Sequence, residues 1–188
     1  MVTTTGLILA GGAGRRTGGR DKGLIPWSGK PLVVHVAGRL RAQVDRLLVS
    51  CNRNFEQYAT IAGVTIADSR RDFQGPLAGL EAAAPHIHTE FVIVSACDTP
   101  LLPNDLVQRL LVPLVNKGAG DFDISFVHDG EREQYLCAAL RTTCLASLRD
   151  YLDEGQRTVR HWYREQKSIA VDFSDETDCF RNYNCLEE

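Results

Sequence analysis

The sequence predicts a three-layer α/β domain, with a mostly parallel sheet carrying helices on both faces. Three observations lead there. Apolar, strand-like runs alternate with amphipathic helical stretches along the chain. Several of those runs, above all Phe91 to Cys97 (FVIVSAC), are continuously apolar, as strands covered on both faces must be. A glycine-rich segment follows directly on the first run (LILAGGAGRRTGGRDKG, residues 7–23), and in such folds ligand sites lie at the carboxyl ends of strands.

Gly6 to Ala10 reads as the first buried strand. Residues 31–43 (PLVVHVAGRLRAQ) place Leu32, Val33, Val36, Ala37 and Leu40 on one helical stripe, with Pro31 suited to the first turn. Leu47 to Cys51 and Val64 to Ala67 read as the second and third strands. Gly79 to Pro85 is Ala-rich and reads as a short helix, and Phe91 to Cys97 as the next strand. Asn104 to Asn116 is amphipathic, with Asn104 as its N-cap. Asp123 to Val127 and Tyr135 to Leu140 read as strands joined by HDGERE, whose Asp-Gly predicts an antiparallel turn. Thr143 to Asp153 and Thr158 to Arg164 read as helical, and Ser168 to Phe173 as the last strand.

A length of 188 residues with 44% apolar content supports one domain, residues 1–188, around a substantial core. The net charge of −3 gives no molecule-wide attraction for nucleic acid, so polyanion binding has to be local. No apolar run approaches the ~20 residues that cross a bilayer, and the N-terminus lacks the basic stretch of a signal peptide. Neither a nucleic-acid nor a membrane partner is expected. The six cysteines form no C-x-x-C pair and have no His at zinc-like spacing. They read as reduced thiols, and a cytoplasmic location is the expectation.

The glycine segment fits neither common phosphate template. The dinucleotide fingerprint fails at Thr17, where its third glycine belongs, and the P-loop fails at Arg20, where Lys is required. Its physics still suits a phosphate. Gly11, Gly12 and Gly14 let backbone N–H groups come close, while Arg15, Arg16, Arg20 and Lys22 bring positive charge. Asp98 ends the strongest buried strand and precedes Thr-Pro, so its carboxylate can enter the sheet-end crevice and hold a hard cation. A turn or helix-capping Asp fits that position about as well on sequence alone.

The string LAGGAGRRTGGRDKG resembles the signature of the molybdenum cofactor guanylyltransferase family. The resemblance continues through GKPL, NR, DS, GPLAG, CDTP, VHDGER, VDFSD and F-x-N-x-N, in the family's order over essentially the whole chain. It implies a Rossmann-like nucleotidyltransferase fold, three-layer α/β/α. It implies transfer of GMP from GTP to the terminal phosphate of molybdopterin or Mo-molybdopterin, with Mg²⁺ as cofactor. Molybdoenzyme apoproteins or their chaperones would be partners, and a monomer is expected. Carried over by position, Asp98 would hold the metal, and Lys22 and Arg15 would serve the triphosphate. Leu9, Ala10, Gly11, Gly12, Ser50 and Asp68 would meet the nucleotide. Gly75, Gly79, Asn182 and Asn184 would serve the substrate side, with His128 and Asp129 nearby. Relatives carry Asn at the position of Ser50, and here an amide is replaced by a hydroxyl. Alternatives are a cytidylyltransferase, another nucleotidyltransferase, and a non-catalytic nucleotide or cofactor carrier.

Overall fold

Strand β1 (Thr4–Leu9) is the hub of the sheet, pairing in parallel with β4 (Arg46–Ser50) on one side and β6 (Phe91–Ala96) on the other. The structure, a computed structural model, describes residues 2–12, 19–116 and 121–183. The sheet is completed by β5 (Thr65–Ile66), β7 (Ile124–His128), β8 (Glu133–Arg141) and β9 (Ser168–Asp172) in the order β5-β4-β1-β6-β8-β7-β9. Strand β8 runs against its neighbours β6 and β7, and the remaining pairings are parallel. The mostly parallel sheet and the antiparallel pair around the Asp-Gly turn agree with the sequence.

Both faces of the sheet are covered, and the strands show it residue by residue. Ile8, Val49, Phe91 and Ile93 pack on one face with α1 (Leu32–Arg41), α2 (Phe55–Ala62) and α4 (Leu106–Val115). Their chain neighbours Leu7, Leu48, Val92 and Val94 pack on the other with α3 (Pro76–Ala83), α5 (Leu148–Asp153) and α6 (Val159–Glu165). This two-residue alternation between two dry layers explains why FVIVSAC is apolar throughout. Each fully buried Val, Leu, Ile or Phe contributes roughly 1.5–3 kcal/mol by leaving water. Among the described residues no helix is long and apolar enough to cross a membrane.

The chain steps from β1 through α1 to β4, then to β5, and returns through α3 to β6 on the far side of β1. The carboxyl ends of β1 and β6 therefore flank a topological switch point, where the sheet edge opens into a crevice. Beside it, the register of β7 against β8 jumps from Phe126↔Ala138 to Val127↔Gln134, leaving Tyr135, Leu136 and Cys137 opposite no residue of β7. Such a bulge redirects side chains toward a site.

Several expectations need correction. The residue before α4 is Asp105, with no side-chain cap, while Asn104 Oδ1 accepts a hydrogen bond from Arg39 Nη1 at 2.6 Å. A tertiary contact has taken the group that would have capped. The helix expected from Gly79 to Pro85 starts earlier and ends earlier: Gly75 precedes α3, Pro76 opens it and Gly79 lies inside it. Residues 142–147 are a 3₁₀ turn ahead of α5 rather than part of one helix. Helix α2 and the small hairpin β2 (Pro26–Trp27) and β3 (Lys30–Pro31) were not anticipated.

Candidate active site

A cavity of about 690 Å³ opens at the carboxyl edge of the sheet, at the switch point. Strand β1 ends in it with Leu9, Ala10, Gly11 and Gly12, and β6 feeds it with Ala96, Cys97, Asp98 and Thr99. Beyond the regular ladder, Ala10 N–H ties the end of β1 to β4 by donating to the Ser50 carbonyl at 2.7 Å, and Cys97 N–H ties the end of β6 to β1 by donating to the Leu9 carbonyl at 3.3 Å. Gly11 and Gly12 and the acid of CDTP thus share one crevice.

Asp98 is buried, and its Oδ2 accepts a hydrogen bond from the Lys22 ammonium. Lys22 is delivered by a neighbouring device. Asp21 accepts hydrogen bonds from Asn54 Nδ2 at 2.9 Å and from the buried Tyr58 hydroxyl at 2.5 Å, and lies 3.5 Å from Arg53 Nε. Burial, helped by the Asp21 carboxylate, pushes the Tyr58 hydroxyl far above its ordinary pKa, so it remains a donor. The Arg53 guanidinium donates to the carbonyls of Gly19 at 2.7 Å and Arg20 at 3.0 Å, and reaches that of Gly12 at 3.5 Å. It ties together the two ends that flank residues 13–18.

On the β4 side, Asn52 spends its whole amide on the site. Its Nδ2 donates to the Gly11 carbonyl at 3.0 Å and to Asp68 Oδ2 at 2.7 Å, and its Oδ1 accepts the Asp68 N–H at 2.9 Å. Ser50 Oγ lies 3.5 Å from Asp68 Oδ1. Burial outweighs these donors and raises the Asp68 carboxyl above the usual carboxylate range. Helix α3 closes the cavity from above. Gly75 holds φ at +89°, a conformation that side chains disfavour, and Gly79 packs so tightly that an added Cβ would stand 2.5 Å from Ser50 Oγ.

The far wall comes from Gln134, Tyr135, Leu136 and Cys137 of β8 and from Asn182. The chain is secured there by Tyr183, whose N–H donates to the Asp98 carbonyl at 3.0 Å and whose ring lies 5.1 Å from Trp27. His35 Nε2 holds the Trp27 carbonyl at 2.9 Å. The thiols of Cys97 and Cys137 are each pushed up to about 12 by burial, so both are protonated at neutral pH and neither is a nucleophile.

Of the residues singled out from the sequence, Leu9, Ala10, Gly11, Gly12, Lys22, Ser50, Asp68, Gly75, Gly79, Asp98 and Asn182 all line this cavity. Arg15 and Asn184 lie outside the described residues. His128 and Asp129 do not line it. Asp129 organises the hairpin instead, accepting from the N–H groups of Glu131 and Arg132 at 2.9 and 2.8 Å and from Gln134 Nε2 at 2.6 Å. Asn52, Phe73, Gln134 and Tyr135 were missed. Only Asn52 left a trace, in the NR pair after the second strand.

A MobA-like NTP transferase domain model matches residues 6–169. A molybdenum cofactor guanylyltransferase of Shewanella piezotolerans is 37% identical over 187 residues, covering 100% of this chain and 90% of the relative. That of Shewanella loihica is 36% identical over 182 residues, covering 97% and 91%. Among solved structures, molybdopterin-guanine dinucleotide biosynthesis protein A from Archaeoglobus fulgidus superposes with a TM-score of 0.75 at 19% identity, over 97% of this chain and 93% of that one. A 4-diphosphocytidyl-2C-methyl-D-erythritol synthase from Anaerococcus prevotii superposes at 0.73 with 11% identity, over 99% and 92%, so the fold outlasts the sequence. A full-length match to curated relatives, on a sheet whose switch point brings Gly11, Gly12 and Asp98 together, settles the assignment: this chain belongs to the MobA-like NTP transferase family.

Proposed function

We propose that the protein is a molybdenum cofactor guanylyltransferase, acting as one domain and as a monomer on GTP and molybdopterin or Mo-molybdopterin. The observation that carries this reading is the meeting of the β1 glycine turn, Lys22 and Asp98 at one end of a cavity that continues to β8. The terminal phosphate of the pterin attacks the α-phosphorus of GTP. A new P–O bond forms, the bond from the α-phosphorus to the bridging oxygen breaks, and pyrophosphate leaves with that electron pair. A phosphate monoester is already largely ionised at neutral pH, its second pKa being about 6. The step therefore needs no general base, and the protonated thiols of the cavity need play no part.

The chain's work is to bring two polyanions together. Gly11 and Gly12 let backbone approach the phosphates, Lys22 supplies a positive charge beside them, and Asp68 and Ser50 face the nucleoside half. Asp98 fits a Mg²⁺ site. Its carboxylate faces the crevice and already accepts a cationic partner, and a Mg²⁺ bound through one carboxylate completes its shell with phosphate and water. Among the described residues no cluster of three His, Cys, Asp or Glu side chains could cage an ion, which suits a metal that arrives with the triphosphate. Bound there, Mg²⁺ would neutralise charge developing on the phosphates.

The test is pyrophosphate release from GTP, CTP and ATP in competition, with purified molybdopterin as acceptor. GTP alone should turn over, EDTA should stop it and Mg²⁺ should restore it. Asp98→Ala should lower turnover by at least about a hundredfold, the scale seen when a transition-state charge stabiliser is removed, with unfolding little changed. Preference for CTP, binding without pyrophosphate, or near-parental turnover in Asp98→Ala would each overturn the reading.

A further inference from the structure

We propose that Phe73 is a stacking wall for the purine ring of the nucleoside triphosphate; this rests on the guanylyl-transfer reading above. Phe73 lines the cavity yet is 48% exposed, among the most exposed large apolar side chains of the described residues. An aromatic ring left open at the mouth of a largely apolar cavity gains by covering a planar ligand. Its backbone is unusual as well: Asp72 has φ +70° and Phe73 φ +49°, and a bulky residue there is a true outlier. Such strain persists where surrounding structure imposes it, and it collects at ligand clamps.

The surroundings do impose it. Arg70, at the base of the segment, is held by Glu81 through Nε at 2.6 Å and Nη2 at 2.7 Å, and by Asp153 at 2.7 Å. Gly75 and Pro76 then lock the segment onto α3.

The ring serves the base rather than the pterin because of where α3 sits. Gly79 of that helix, expected with Gly75 on the substrate side, instead packs against Ser50 and Leu9, so the helix start lies over the ends of β4 and β1. That is the Ser50–Asp68 half of the cavity, across β1 and β6 from Tyr135 on β8.

The test measures equilibrium binding of GTP and of inorganic tripolyphosphate to the parent, Phe73→Ala, Phe73→Leu and Phe73→Tyr. Stacking predicts that Ala and Leu each weaken GTP on the order of tenfold, that Tyr keeps parental affinity, and that tripolyphosphate binding is unchanged throughout. Equal loss of tripolyphosphate would mean that the phosphate turn had been disturbed and would overturn the proposal. So would unchanged GTP affinity in Phe73→Ala, or a rise in KM for molybdopterin alone. Parental turnover of GTP in the same preparations separates this outcome from failure of the guanylyl-transfer reading, in which the parent itself releases no pyrophosphate.

Discussion

Asp68 illustrates how a residue can be well connected and still uncomfortable. It has donors in Asn52 and Ser50, yet burial keeps its carboxyl above the ordinary carboxylate range. For an acid, a folded-state pKa above the unfolded value means that the group favours folding only when protonated. Its contribution is present below the ordinary value near ~3.9 and is lost as pH rises through the folded-state value. Replacing Asp68 by Asn removes that dependence. The difference in unfolding free energy between parent and Asp68→Asn, from urea titrations, should therefore move in favour of the variant as pH is raised from about 4 toward 7. A pH-independent difference would contradict it. At this scale the sequence was legible where chemistry follows from position. The place of Asp98 at the crevice was readable because it ends an apolar strand before Thr-Pro, while a role for it, as for Asp68, came only from the family pattern. Asn52 was half-visible, since an Asn after a strand says nothing about a carbonyl and a carboxylate brought to it from elsewhere in the chain. Phe73 was invisible, because a lone Phe between Asp72 and Gln74 carries no sign of a left-handed backbone.

Helix α3 shows what an element must give up to form a cavity roof. Its Gly79 sits where a better helix former would add stability, but the space is taken by Ser50 Oγ and Leu9 Cδ2, 2.5 and 3.2 Å from an added Cβ. Gly79→Ala should cost about 1–3 kcal/mol through this crowding and raise KM for GTP. The same change at Gly38, on the exposed side of α1 with nothing within 4 Å, should stabilise by roughly 0.5–1 kcal/mol. Urea midpoints of the two variants give the comparison, and a neutral or stabilising Gly79→Ala would contradict it. Among the elements, strands buried on both faces and α1 were readable because their pattern is dense. Helix α2 was not, since FEQYATIA buries little more than Tyr58 and its pattern is thin. The β2–β3 hairpin has two residues per strand, too few for any periodicity.

For the whole molecule, one sheet runs through both halves of the cavity, and both apolar layers extend along it. Nothing in this layout lets the β4 half of the cavity unfold while the β8 half survives. Far-UV and near-UV signals should therefore lose structure in one coincident transition in urea, and two separated transitions would divide the proposed single domain. The fold class was legible at this scale because alternation of strand and helix leaves few topologies. The depth of the crevice was not, since it depends on where β6 sits relative to β1, a relation between residues more than 80 positions apart.

The reversed direction of β8 has one more consequence. The parallel strands beside the crevice leave the sheet there and continue as turns, whose residues can be exchanged or lengthened one at a time. Strand β8 instead enters the sheet at that edge, and its bulge is held between the Gln134–Val127 and Ala138–Phe126 pairings with β7 and the Cys137–Ser95 pairing with β6. The β8 wall of the cavity is thus framework, while the wall built by the ends of β1 and β6 is trim. Edits to the turns can reshape one wall residue by residue, whereas the other can change only through the side chains it carries, such as Gln134 and Tyr135, on an unmoved backbone.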